Sequence, residues 1–336
     1  MPISARVLAD SLAPCGARLT TMEWVCPMYL QGEINTHKML SKNSASSRAI
    51  PTEKMIQRAI DDPFVPVYLG ANQKGMQAGT ELDEDARTLA LSAWLDGLDA
   101  AVKSARAMSV AHKQIANRPL GPYLWTTIII SGTEWSNLYG LRNHSDAEPH
   151  FWDLARKAVA AMEASTPVQL AAGQWHLPLV YHDPDDIQML DAMVEAGQLK
   201  FPEDFIKISV GRVARVSYLT HSGKRDVYED IALHDRLVAQ EIKHASPAEH
   251  VAQAMDYPEW WKDYAASEAL GVYGTFENIR DLINIEGQAR ERPALYGTKK
   301  HQLLAAMLRQ MQSGNFYGFS QYRKQLKNEH IGGYMP

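Results

Sequence analysis

Cysteine is nearly absent: Cys15 and Cys26 are the only two in 336 residues. Two thiols cannot make a disulfide scaffold, and they lack the paired spacing of a zinc site, so no metal centre is expected and a reducing cytoplasm suits the chain. Long apolar runs are missing too. No stretch approaches the roughly 20 apolar residues of a membrane span, and the opening MPISARVLAD has no apolar signal core, which points to the cytosol. Nor is there an excess of one charge, with 34 Lys and Arg against 39 Asp and Glu for a net of −5. Bulk attraction to nucleic acid or an anionic membrane is thereby excluded, and any anionic ligand must be held by a local cluster of cations. Low-complexity tracts and repeats of fixed period are also lacking.

What is present is a core. With 46% hydrophobic residues the chain can bury one large core or two moderate ones. Stretches rich in Gly, Pro or polar residues at 70–80, 182–186 and 286–300 punctuate it. After the first, Thr80 to Asp83 resembles a capping box, and Leu91, Trp94, Leu98 and Val102 follow at helical spacing as a core stripe. Residues 123–130, YLWTTIII, are β-branched and aromatic, yet they run without a strong breaker into Trp135, Leu138 and Arg142 at helical spacing. A helix is the expectation there. Further on, 205–210 reads as a short buried strand, 226–244 as a helix with Val227, Ile231, Val238 and Ile242 inward, and 303–312 as another helix. The mixture predicts an α+β fold.

Three constellations carry chemistry. The first is Glu33 to Arg48, which packs two Lys, one Arg, one His and four Ser into sixteen residues. Hydroxyls and a guanidinium fork together suit a phosphate, since charge-assisted bonds are roughly twice as strong as neutral ones. A solvated polar loop would account for the same composition. The second is Trp135 to Glu148, containing Asn137 and Leu141-Arg142; about 100° per residue places Asn137 and Arg142 roughly 140° apart on a helix, able to face two stacked ligands. A plain surface arginine is the competing reading. The third is Gly211-Arg-Val-Ala-Arg215-Val-Ser217-Tyr218, a charged helix, and then His244-Ala-Ser246-Pro247-Ala-Glu249-His250. Ser246 to Glu249 reads as a capping box with Pro at the first helical position, whose free N–H groups could face a pyrophosphate. A helix cap alone would also explain Ser246 and Glu249.

Together these resemble the flavin-dependent thymidylate synthases. His37-Lys38, seven residues, Ser46, one residue and Arg48 is similar to that family's Arg-His-Arg, seven residues, Ser, one residue, Arg, with Thr36 and Lys38 replacing the two arginines. Leu141-Arg142 followed by Ala147 resembles its Leu-Arg and Ala-Gln helix. The third constellation resembles its Ala-Arg-Val-Ser-Tyr and His-x-Ser/Thr-Pro-x-Glu-His segments, here placed after the other two instead of before. The resemblance covers most of 20–56, 116–166 and 207–252. It implies a mixed sheet with long helices, of the thymidylate-synthase-complementing type, in permuted topology. It divides the chain into a 1–180 half and a 181–336 half, expected to intertwine as one domain.

The resemblance also implies roles. Arg142 would reach the base and stabilise charge on its carbonyl as C5 becomes nucleophilic; Ser46 and Arg48, with Ser44 and Ser47 beside them, would grip the phosphate, and Glu33 stands where the family has Gln. His37, Lys38, Asn137, His244, Ser246 and Glu249 would contact FAD. Methylenetetrahydrofolate would give the carbon and NADPH the electrons, taking dUMP to dTMP in a homotetramer. Two rivals stay open: a dUMP or dCMP 5-hydroxymethylase, which Glu33 suits because a carboxylate accepts from a cytosine amino group, and a non-catalytic flavin or nucleotide binder. The Pro14-Cys15 pair lacks the surroundings of a nucleophile and reads as an incidental thiol. Gln321-Tyr-Arg323-Lys324 faintly resembles the stretch leading into the family's Arg-His-Arg, though a basic terminal strand explains it as well.

Overall fold

A computed structural model describes residues 2–77, 79–181, 184–220, 226–240, 243–264, 279–290, 297–327 and 329. It is α+β, as the sequence pattern predicts. Strands β1 (Ser4–Leu12), β2 (Arg18–Pro27), β3 (Ser41–Ser44), β4 (Trp125–Gly132) and β5 (Val168–Gln169) form one sheet in the order β3-β4-β2-β1-β5, antiparallel except for the β1 and β5 pair. Strands β6 (Trp175–His176), β7 (Ala252–Ala254), β8 (Gln312–Ser313), β9 (Phe316–Tyr317) and β10 (Phe319–Gln321) follow. Of these, β10, β7 and β6 make a second sheet in that order, and β8 and β9 a hairpin. The helices that matter for the site are α1 (Glu84–Ala107), α2 (Ser136–Arg142), α3 (Pro149–Glu163), α4 (Glu203–Arg215), α5 (Val227–Val238) and α6 (Lys299–Met311).

Two elements differ from the sequence expectation, for one physical reason. The 123–130 run is strand β4, paired on both sides and buried at every position. The 205–210 run lies in helix α4, which is buried on nearly all sides. An element without a wet face shows no periodicity to choose between helix and strand. At the end of β4, Gly132 lets Leu40 approach: an added Cβ would stand 2.3 Å from its Cδ2. The helical spacing from Trp135 belongs to α2, which starts after this break. Two boundaries also move. Helix α1 is capped by Asp83, whose side chain accepts from the Ala86 N–H, rather than by Thr80. Helix α5 stops at Val238, and Ile242 lies outside the described residues.

The larger core packs α3 against the main sheet, with Met22, Trp24, Ile128, Ile130, Phe151 and Leu154 buried together. Removing one such ring, as in Phe151→Ala, costs about 3–5 kcal/mol by the usual cavity penalty. Helices α4 and α5 meet over Gly211, where a Cβ would lie 2.3 Å from the Asp230 carbonyl oxygen. Beside that contact Arg212, fully buried, forms a fork on Asp186 at 2.7 and 2.8 Å and reaches Asp230 at 3.1 Å, while Arg215 reaches Asp230 at 2.5 Å. The arginine of the Ala-Arg-Val-Ser-Tyr segment is thus committed to packing two helices.

A buried polar chain joins the two sheets. Ser11 Oγ lies 2.8 Å from His176 Nδ1, His176 Nε2 is 2.8 Å from Thr21 Oγ1, Thr21 is 2.6 Å from Ser131 Oγ, and Ser131 is 2.8 Å from His250 Nδ1. Burial pushes both imidazoles down to about 3, so both are neutral. Among the described residues no helix is long and apolar enough to cross a membrane.

Candidate nucleotide and anion site

Strand β3 organises the site. Its residues alternate, Ser41 and Asn43 buried, Lys42 and Ser44 half-buried, so Lys42 and Ser44 share one face. Asn43 Nδ2 donates to the Val213 carbonyl at 2.7 Å, and the Ser46 N–H to the Ser217 carbonyl at 3.1 Å. The segment after β3 is thereby held on the end of α4 and the turn Val216–Tyr218. Asn117 fixes it from the other side, donating to the carbonyls of Ser47 at 2.6 Å and Ile50 at 3.0 Å.

Two cavities open on either side of residues 44–48. One, of about 590 Å³, has Lys42, Ser44, Ser46, Arg48, Ser217, Tyr218, His244 and Ser246 in its wall. The first and third constellations, about two hundred residues apart in sequence, meet here. Among the described residues no carboxylate lines it, which stands out in a chain of net charge −5. The other, of about 440 Å³, is lined by Tyr29, Gln31, Ser44, Ser46, Ser47, Arg48, Asn117 and Arg118, again with no carboxylate among the described residues. Both volumes fall in the range of small-ligand sites. Burial first, and then the charge of Lys38, pushes Lys42 down to about 8; its Nζ donates to the His37 carbonyl.

Glu33, His37, Asn137 and Arg142 form a separate cluster near the opposite end of β3, and none of them lines either cavity. Four strand residues span about 13 Å. Arg142 Nη1 pairs with Glu33 at 2.8 Å, its Nε donates to His37 Nε2 at 3.1 Å, and its guanidinium lies 4.9 Å from the Phe151 ring centroid. Asn137 bonds the same imidazole. The two side chains that helical geometry would aim at separate ligands therefore converge on one buried histidine. His37 is held below its ordinary value by burial and then by the Arg142 charge, so its Nε2 stays an acceptor.

Two expected contacts take other positions, and a third keeps its place without the helix start expected behind it. Lys38 is exposed and donates to the Asn35 carbonyl at 2.9 Å. Glu249 pairs with Arg323, so the terminal Gln321-Tyr-Arg323-Lys324 segment, strand β10 and the turn after it, braces the third constellation. Gln321 Nε2 also reaches Ser41 Oγ and the Glu249 carbonyl. Residues 246–249 form a four-residue 3₁₀ turn with no side-chain cap, not a helix start, because the chain must enter β7 at Ala252. Ser246 reaches the cavity as a hydroxyl, and no array of helical N–H groups stands behind it.

Sequence reasoning gave no role to Lys42 or Tyr29. The alternation of β3 was the available signal for Lys42; for Tyr29 there was none. Burial pushes the thiols of Cys15 and Cys26 up to about 11 and about 12, so neither is a nucleophile near neutral pH.

No protein-family model matches the sequence, and no curated protein does. Among solved structures, a UMP/dUMP methylase, PolB from Streptomyces cacaoi, bound with 5-Br UMP, is similar at a TM-score of 0.39 and 11% identity, over 48% of this chain and 88% of that one. A likeness so slight carries no argument about family or activity.

Proposed function

We propose that the chain transfers a one-carbon unit to C5 of a pyrimidine nucleotide monophosphate with FAD as cofactor, methylenetetrahydrofolate as carbon donor and NADPH as reductant. The observation that carries this reading is the meeting of residues 44–48 with Ser217, His244 and Ser246 around a cavity that no carboxylate lines among the described residues. Nothing in the bulk composition would gather cations and hydroxyls there, whereas two anionic ligands on either side of one wall would use them. The 440 Å³ cavity suits the nucleotide, its phosphate between Arg48 and Arg118 with the serine hydroxyls, because two guanidinium forks can satisfy several phosphate oxygens.

The donor set of the 590 Å³ cavity fits the pyrophosphate of FAD: Lys42 and Arg48 supply charge, and Ser46, Ser217, His244 and Ser246 supply polar contacts. When bound, the flavin would supply the redox chemistry that side chains lack. The protein's own part is positional and electrostatic. Arg142, its Nε and Nη1 already engaged, keeps Nη2 for a base carbonyl and stabilises charge that develops there. His37 and Asn137 fix that guanidinium. Completion of one site by several copies of the chain would bring the Arg142 cluster to a neighbour's cavity, and a homotetramer is part of this reading.

Incubation with dUMP or dCMP labelled at C5, FAD, NADPH and methylenetetrahydrofolate tests it. Release of the label with a product heavier by about 14 Da for a methyl, or about 30 Da for a hydroxymethyl, is expected. Protein that neither carries flavin nor is thermally stabilised by FAD refutes it.

A further inference from the structure

A third cavity, of about 370 Å³, shares no lining residue with the two anion cavities and takes no part in the reading above. It forms where the chain leaves β4 at Gly132 and turns into α2, against Arg18 at the start of β2, the last turn of α3 and the helix Ile279–Arg290. Trp135 and Tyr139 both line it; four residues apart, they share one helical face. Their rings stack with centroids 5.6 Å apart and planes 14° from parallel. The polar ends of both are spent inside the protein. Trp135 Nε1 donates to the Gly132 carbonyl at 2.9 Å, and the Tyr139 hydroxyl to the sulfurs of Met22 and Met162 at 3.9 and 3.7 Å. What the pair brings to the cavity is ring surface.

The charged groups of the wall are only partly spent. Arg18 Nε and Nη2 hold the two Asp10 oxygens at 2.9 and 2.6 Å, and Nη2 also reaches the Met162 and Ser165 carbonyls, whereas Nη1 has no partner among the described residues. Glu163 ends α3, where the helix dipole disfavours a carboxylate, and its side chain has no partner among the described residues either. Glu134 is half-buried. Burial raises its carboxyl above the ordinary value, and the Arg280 charge and a bond from Ser136 offset that only in part. With Glu134, Glu163, Arg18 and Arg280 all in the wall, a simple anion would meet two carboxylates and a simple cation two guanidiniums. A neutral flat ring suits it better, provided that its edge carries adjacent N–H donors for a carboxylate and a carbonyl for a guanidinium.

We propose that this cavity binds a planar two-ring heterocycle by a 2-amino-4-oxo edge, the chemistry common to a pterin and to guanine. Glu134 accepts from the amino group and the ring N–H, and Arg18 Nη1 donates to the carbonyl. The volume lies in the range of small-ligand sites. Uracil and cytosine lack two adjacent donors, so the pyrimidine of the nucleotide reading has no claim on this cavity. The proposal does not depend on that reading, and loss of FAD or nucleotide binding would leave it standing.

Equilibrium dialysis of the full chain against two matched pairs tests it: pterin with lumazine, which carries an oxo group in place of the 2-amino group, and guanosine with inosine, which lacks that amino group. In at least one pair the amino compound should bind about tenfold tighter or more, since a site built to pair a polar group rejects the analogue lacking it. The pair that shows the preference identifies the source of the ring. Glu134→Gln, shown to be folded by circular dichroism and cooperative melting, should reduce the preference to about threefold or less while leaving the weaker member of the pair within twofold. Equal binding within both pairs, or no binding of either amino compound, overturns the proposal. Full preference in folded Glu134→Gln overturns the role given to Glu134.

Discussion

Lys42 makes the anion cavity sensitive to pH in a way that can be worked out in advance. In the free protein its ammonium is pushed down from 10.5 to about 8 by burial and by Lys38, with Glu249 offsetting part of the effect. An anion beside it favours the charged form and raises it again. Binding therefore takes up a proton above pH 8, and affinity falls as pH rises. If the ligand restores the ordinary value, linkage gives about a twentyfold loss of affinity between pH 7.5 and 9.5, or ~2 kcal/mol. The free protein behaves in the opposite sense: between about 8 and 10.5 the unfolded chain still holds the proton that the folded chain has released, so this group's contribution to stability rises with pH. Lys42→Arg keeps a charge that does not titrate in this range. Calorimetric titration with FAD and, separately, inorganic pyrophosphate at the two pH values, for both proteins, decides the matter. Affinity that does not change with pH in the unmodified protein, or falls equally in Lys42→Arg, would refute the role given to Lys42.

Arg118 lines only the smaller cavity, so Arg118→Ala should weaken nucleotide binding by about 2–3 kcal/mol and leave FAD binding within twofold, as read by calorimetry. Cys15→Ala and Cys26→Ala should retain turnover when folded, because thiols held at about 11 and about 12 supply almost no thiolate; near-complete loss in folded Cys15→Ala would contradict this. Acid should destabilise the protein through His176 and His250. Their folded-state values near 3 lie below the unfolded 6.5, so the stability gained from keeping them neutral is complete above 6.5 and shrinks as pH falls toward 3. Urea unfolding at pH 7.5 and 5.0 should differ by up to about 4 kcal/mol for the pair, and Ser131→Ala should shift the acid limb by loosening His250.

Much of the helical structure was legible because half-buried helices keep a wet face; the Leu91, Trp94, Leu98 and Val102 stripe of α1 is the clearest case. Strand β4 and helix α4 were misread because burial on all sides removes that contrast. In the candidate site, residues 44–48 stood out by their hydroxyls and cations, and His244 and Ser246 through the resemblance and the Ser-Pro-x-Glu pattern, while their meeting place was not legible, since it depends on β3 being bonded to the end of α4. Tyr29, which lines the smaller cavity, left no local signal. Its contacts to Glu148 and His150 span about 120 residues and depend on α3 packing over the main sheet.

The wall formed by residues 44–48 has a consequence for genetics. Ser44, Ser46 and Arg48 face both cavities, so a substitution at any of them is pleiotropic and cannot be assigned to one ligand by its phenotype alone. Substitutions at Asn117, Arg118, Ser217 or His244 each touch one cavity, and pairs drawn from opposite sides should combine additively. Pairs that include a wall residue should show epistasis, because each cavity then reports a loss the other has already felt. Separable and inseparable alleles are thus interleaved along the sequence, and a five-residue stretch would behave in crosses as if it were two genes' worth of function in one place.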